Sequence, residues 1–332
     1  MVTAETFAAQ EAVELAVVDR GGFVESRHVG SALVLSPDGE VAMALGRTDA
    51  LILPRSSLKP LQAIGSVTAG APLEGERLAI ATASHSGTDR HVALVRDMLA
   101  AVGLSEDALG CPAQWPSDSA ARDAMVRDHY EPSRLRMTCS GKHAAMLTAC
   151  VASGWDTATY LDPAHPLQLH IREVVERLSG ERVGATVIDG CGAPVHALTL
   201  SGLARALHRA GTSSERSPFA MHRVAGALVR AVRENPWTVE GPGRPDTIAI
   251  ETFGVYSKFG AEGVQTMIAP DGTAVVVKML DGSNRAAVLV ALTLLARTGA
   301  LGAEAVDHFA RTNPMLSVRG GGAEVGRIRA SV

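Results

Sequence analysis

The chain has 332 residues, 46% hydrophobic and 20% charged, enough to bury a full core as one large domain or two modest ones. Its formal net charge of −4, with scattered positive residues, lacks the basic surplus that nucleic acid or an anionic lipid surface requires, so neither partner is expected. The longest apolar run, 286–296, is broken only by Thr293 and falls short of the ~20 residues that span a bilayer; 1–14 carries Glu5, Glu11 and Glu14 and no signal-peptide pattern, which predicts a cytoplasmic location.

Apolar runs at 15–18, 31–35 and 40–45 alternate with turn signals at Gly21-Gly22 and Ser36-Pro37-Asp38-Gly39, which predicts hairpin strands. Leu51 to Pro54 leads into Ser56, and Leu58, Leu61, Ile64 and Val67 recur at helical spacing, so a helix is predicted to start at Ser56. Pro60 suits its first turn, where the amide has no helical acceptor. Further helices are predicted over 91–102, 141–152, 166–178, 218–232 and 284–297, and strands over 247–252, 264–268 and 274–279. Strands at both ends with helices between predict an α+β fold, in which N- and C-terminal strands share a sheet beneath a helical layer. No linker, repeat or low-complexity stretch divides the chain, so 1–332 reads as one unit containing a helical subdomain.

The 31 basic residues are 27 arginines and only four lysines: Lys59, Lys142, Lys258 and Lys278. Arginine stays protonated at any working pH, whereas lysine serves as a base once its surroundings depress its pKa. Three of the four lysines fall in polar, glycine- or serine-containing motifs. Ser56-x-x-Lys59 places a hydroxyl at a helix start and an amine one turn later on the same face, where helix-end amides favour a developing alkoxide. Alone, that spacing equally describes a capping serine and a solvated lysine.

Four further clusters carry chemistry-bearing side chains. Ser84-His85-Ser86-Gly87-Thr88-Asp89 ends an apolar run; Ser86 with Asp89 fits a capping box, and His85 reads equally as a satisfied buried histidine or a proton carrier. Cys139-Ser140-Gly141-Lys142-His143 gathers a thiol, an amine and an imidazole before an apolar helix, and lacks the glycine framework of a phosphate-binding loop. Asp189-Gly190-Cys191 brings a carboxylate and a thiol to a strand end. Tyr256-Ser257-Lys258-Phe259-Gly260 sets a lysine after a strand. Lys278 has no polar companions and is assigned to an ion pair or a sheet edge. The four cysteines form no C-x-x-C pair, so their spacing defines neither a zinc site nor a disulfide framework.

Taken together, Arg55-Ser56-x-x-Lys59-Pro60, Ser84-His85, Cys139-Ser140-Gly141-Lys142-His143, Asp189-Gly190-Cys191 and Lys258-x-Gly260 resemble the asparaginase II family, the rhizobial-type or class 3 L-asparaginases. The match in order and spacing runs from near Asp19-Arg20-Gly21-Gly22 to the C-terminal strands. The resemblance implies a fold similar to serine β-lactamases and glutaminases. It implies two Ser–Lys pairs, Ser56 with Lys59 and Ser84 with Lys258, and a metal site, usually zinc, made by Cys139, Lys142 and Cys191. Arg55, His143 and Asp189 match positions that hold the substrate's amino-acid head group or order the site. A homodimer and hydrolysis of L-asparagine are implied as well, with Lys59 accepting the Ser56 proton and a second cationic lysine depressing the pKa of the first. Thr138 departs from the pattern, which has Asn before the cysteine. Two enzymatic alternatives are a penicillin-recognising acyl-serine hydrolase, whose Ser-Asp-Asn and Lys-Thr-Gly tripeptides do not occur here, and a glutaminase. A non-catalytic amino-acid- or metal-binding protein is a third reading, against which the intact pairs argue.

Overall fold

The computed structural model describes residues 5–332; residues 1–4, where the segment read as lacking a signal peptide begins, lie outside it. Strands β1 (Val13–Arg20), β2 (Phe23–Leu35) and β3 (Val41–Leu45) form the expected antiparallel run. A short β4 (Leu51–Ile52) leads through a 3₁₀ turn, Arg55–Leu58, into helix α1 (Lys59–Thr68). Helices α2 (Gly75–Ile80), α3 (Asp89–Ala100), α4 (Ser119–Arg127), α5 (Ser140–Ser153) and α6 (Pro166–Ser179) follow. The hairpin β5 (Ala185–Ile188) and β6 (Pro194–Thr199) precedes α7 (Leu200–Gly211), α8 (Ala220–Glu234) and α9 (Pro245–Phe253). The chain returns through β7 (Tyr256–Gly260), β8 (Val264–Ile268) and β9 (Ala274–Met279) to α10 (Ala287–Arg297), α11 (Ala303–Thr312), β10 (Ser317–Gly320) and β11 (Ala323–Ala330).

The main sheet runs β10-β11-β1-β2-β9-β8-β7, with β3 also on β2, so strands from the two chain ends share one sheet, as the α+β expectation requires. Alternation along its strands sends side chains into two cores. Ala32, Val34, Val275 and Val277 pack beneath α10 and α11, while Leu33, Leu35, Val276 and Val264 face the helical layer that includes α1, α5, α6 and α7. In the β-ladder register Lys258 pairs with Thr266, Thr266 with Val276, and Val276 with Leu33. Lys258 therefore lies on the face that meets the helical layer.

Several expectations are corrected. Residues 247–252 lie in helix α9, not in a strand; their short apolar run fits either period, and Pro245 at the first turn and Gly254 at φ 64° bound a helix. The predicted helix start at Ser56 is a 3₁₀ turn, with α-helix from Lys59. Helix α3 is capped by Thr88 with His91, not by Ser86 with Asp89. Lys258 lies within β7 rather than after a strand. Lys278 sits at no sheet edge and forms no ion pair among the described residues. Its strand β9 is flanked by β2 and β8, and its amine donates to the carbonyls of Glu262 and, at 2.8 Å, Met279.

Candidate active site

Ser56 is half-buried on the turn before α1, next to Arg55, whose φ of 51° is a left-handed conformation uncommon for a residue with a side chain. Lys59, three residues on, is fully buried. Its amine donates to the Ala83 carbonyl and, at 2.9 Å, to Ser84 Oγ. The first lysine thus engages the serine of the second motif. A buried amine needs hydrogen-bond partners, and these two oxygens supply them.

Ser84 is held by its neighbours' backbone. Its N–H donates to the Val239 carbonyl at 2.8 Å, the His85 N–H to Thr138 at 3.1 Å and the Ser86 N–H to Glu240 at 2.6 Å, so 84–86 is clamped between two other segments. His85 is a satisfied histidine. Its Nδ1 accepts from the Gly87 N–H at 3.1 Å, which leaves Nε2–H to donate to Ser140 Oγ at 2.8 Å, while Ser140 donates to the Leu135 carbonyl. Complete burial holds its pKa well below the usual histidine range.

Lys258 approaches the same region from β7, fully buried. Its amine donates to the Phe259 carbonyl at 2.7 Å, lies 3.9 Å above the Phe259 ring and 3.9 Å from Asp246 Oδ2. Burial pushes its pKa down to about 8; the Asp246 charge opposes this and the Lys59 charge adds to it. Gly260 completes this motif for a steric reason. A Cβ there would strike the Pro54 carbonyl and come within 2.9 Å of Ser57 Oγ, so only glycine lets β7 close on the turn that carries Ser56. Gly141 serves α5 likewise, because a Cβ there would strike the Ile80 carbonyl.

The third and fourth motifs converge as well. Lys142 Nζ donates to Cys191 Sγ at 3.1 Å, and Cys139 hydrogen-bonds Cys191. The bond from Cys139 and the Lys142 charge bring the Cys191 thiol down to about 4 against burial, whereas Cys139, as donor to Cys191 and buried, rises to about 12. Burial pulls the Lys142 amine down, but Cys191 and Cys139 outweigh it and leave it above its ordinary value. Among the described residues no trio of His, Cys, Asp or Glu side chains forms a metal site, so a metal at the two thiols needs Lys142 as third donor. Thiolates suit zinc, and the donor set fits once Cys139 and Lys142 lose their protons. Thr138 Oγ1 lies 3.7 Å from Cys139 Sγ, a hydroxyl where the pattern has an amide.

Arg55 Nε donates to Asp189 Oδ1 at 2.7 Å, and the Gly190 N–H to the same oxygen at 2.8 Å. Burial pushes the Asp189 carboxyl up, but Lys142 and Arg55 beside it more than compensate and keep it below the usual carboxylate range. His143 is fully buried; burial and the Lys142 charge bring it down to about 3. Tyr160 Oη accepts from the Gly110 N–H at 2.8 Å and so donates to His143 Nδ1 at 2.6 Å. That fixes a neutral imidazole whose Nε2–H is buried without a partner among the described residues.

Sequence reasoning missed Tyr160, Glu240 and Asp246. The acid directly after Arg244-Pro245 was a legible signal for Asp246 once 245–253 is taken as a helix, because carboxylates favour the first turn.

None of the curated proteins matches the chain. Similar solved structures include Mglu in its glutamate form, at 11% identity and a TM-score of 0.45, covering 81% of this chain and 61% of that one. A β-lactamase from Mycobacterium bovis overlaps at 17% identity and a TM-score of 0.41, covering 81% and 94%. The chain therefore spans less than two thirds of the Mglu chain. The profile of the L-asparaginase II family matches residues 16–330, a span that contains both serines, both buried lysines and the thiol–lysine cluster. The chain belongs to the L-asparaginase II family of amidohydrolases.

Proposed function

We propose that this chain hydrolyses L-asparagine to L-aspartate and ammonia through an acyl-enzyme on Ser56. The observation that carries the reading is the fully buried Lys59 amine, three residues from a half-buried Ser56 on the turn that opens α1. Ser56 Oγ attacks the side-chain amide carbon and its proton passes to Lys59. The C–N bond then breaks, and a proton delivered through Ser84 and Lys258 lets the nitrogen leave as ammonia. Water adds to the Ser56 ester, the C–Oγ bond breaks, and aspartate departs with the serine proton restored. Arg55 and Asp189, an ion pair at the substrate end, present a cation for the α-carboxylate and an anion for the α-ammonium. The unpartnered His143 Nε2–H supplies a further donor.

Cys139, Lys142 and Cys191 would hold the zinc ion that the family resemblance implies, and a bound cation there supplies a fixed positive charge that orients substrate. A second reading, with Ser84 as nucleophile, is favoured by its hydrogen bond to Lys59. The two separate in one experiment: ammonia release from asparagine, glutamine and a β-lactam by the wild type, Ser56→Ala and Ser84→Ala, with mass mapping of the trapped acyl group. Ser56→Ala is expected to abolish release while the protein stays folded. Substantial release by that variant, or acyl mass on Ser84, sinks the Ser56 assignment; faster release from glutamine overturns the substrate assignment.

A further inference from the structure

Lys258 belongs to β7, the end strand of the main sheet, whose outer side offers unpaired backbone groups. Asp246, in the first turn of α9, fills that position. Its carboxylate is fully buried and accepts from the Phe259 N–H at 2.8 Å, Ser257 Oγ at 2.7 Å and Gln265 Nε2 at 3.0 Å. The positive helix end adds to this. Asp246 is itself held in place, because its N–H donates to Glu240 Oε2 at 3.0 Å, and burial with the Asp246 charge pushes the Glu240 carboxyl up to about 7. The carboxylate thus grips three consecutive residues of β7: Ser257 by its hydroxyl, Phe259 by its amide, and Lys258 by charge at 3.9 Å. Three hydrogen bonds to the carboxylate and one from its backbone N–H fix an anion in the core beside the Lys258 amine; the Phe259 N–H needs only an acceptor, which a neutral amide oxygen would supply at lower desolvation cost, so the charge is more than the sheet edge requires.

We propose that Asp246 is a positioning residue for the reaction: it fixes the Lys258 amine in place and sets the pH at which that amine exchanges its proton. The proposal rests on the role given to Lys258 in the amidohydrolase reading. The charged and titratable groups that act on Lys258 are Asp246 from α9, Glu240 from the segment before it, Lys59 from α1 and Cys139 at the start of α5. Asp246 is the carboxylate that closes on it as an ion pair, so its removal leaves an amine opposed by Lys59 and burial.

The test is Asp246→Asn in the full-length chain, with Ser257→Ala as a milder variant that keeps the carboxylate. The profile of kcat/KM against pH for ammonia release from asparagine is expected to move its Lys258-dependent limb to lower pH, by tenfold or more in the apparent ionisation constant for Asp246→Asn and by less for Ser257→Ala. The loss at the optimum is expected in kcat, about tenfold, with KM nearly unchanged. A lowered melting temperature with an undisplaced profile makes Asp246 merely structural and overturns the proposal. If the wild type releases no ammonia from any amide, the functional reading has failed, and the placement is decided without turnover. The stability difference made by Lys258→Met is followed against pH with and without Asp246→Asn. A window that moves to lower pH in the Asn background supports the proposal, and an unmoved window overturns it.

Discussion

Replacing Lys258 with methionine removes a buried amine while keeping most of its volume, and pH resolves what that amine does. In the folded chain its pKa is pushed from 10.5 to about 8, first by burial. In the unfolded chain it returns to the ordinary value. Between these limits the unfolded state holds a proton that the folded state has released, so this group makes stability rise with pH across the window. At about 1.4 kcal/mol per pH unit the displacement amounts to about 3 kcal/mol against the folded state below pH 8, fading to nothing above 10.5. Other groups titrate in the same range. Tyr160 is shifted upward by the fold and acts in the opposite sense, but it is not among the groups that act on Lys258 and cancels in the difference. Urea unfolding of the wild type and Lys258→Met at intervals from pH 7 to 10.5 measures that difference directly. The wild type is expected to gain about 3 kcal/mol on the variant as pH climbs through the window. A difference that stays flat would mean the amine titrates like a solvated lysine, and the reasoning about its burial would be refuted.

Zinc added to metal-free protein is expected to bind with release of one proton from Cys139 and one from Lys142, since Cys191, at about 4, is already a thiolate at neutral pH. Calorimetry in two buffers of different ionisation enthalpy counts those protons, and zinc uptake undiminished by Cys191→Ser would remove the cluster as the site. Gly260→Ala is expected to cost roughly 1–3 kcal/mol by overpacking β7 against the Pro54 carbonyl, and to lower kcat through displacement of the turn carrying Ser56. Wild-type turnover in that variant would show the close contact to be without consequence for the site.

The sequence made the chemistry-bearing residues legible because each sits in a short polar motif within an apolar, arginine-rich chain. Lysine scarcity drew attention to Lys59, Lys142 and Lys258, and all three are buried. The predicted strands 264–268 and 274–279 match β8 and β9, short apolar runs separated by the Pro270-Asp271-Gly272 turn signal. The short apolar run 247–252 fits a strand or a helix, and only the folded chain shows it as a helix with Asp246 in its first turn.

What sequence spacing cannot state is which side chains meet. Ser56 and Lys59 are neighbours along the chain, yet the Lys59 amine reaches Ser84 because a 3₁₀ turn precedes α1 and the 84–86 segment is clamped beside it. Residues 139, 142 and 191 become one cluster only when α5 packs against the turn after β5, and the environment of Lys258 depends on Asp246 closing an end strand from a separate helix. Local sequence thus determined the inventory of reactive groups and the α+β layout. Tertiary packing decided their partners, their burial and the direction of their pKa shifts, because those depend on distances between segments far apart in the chain.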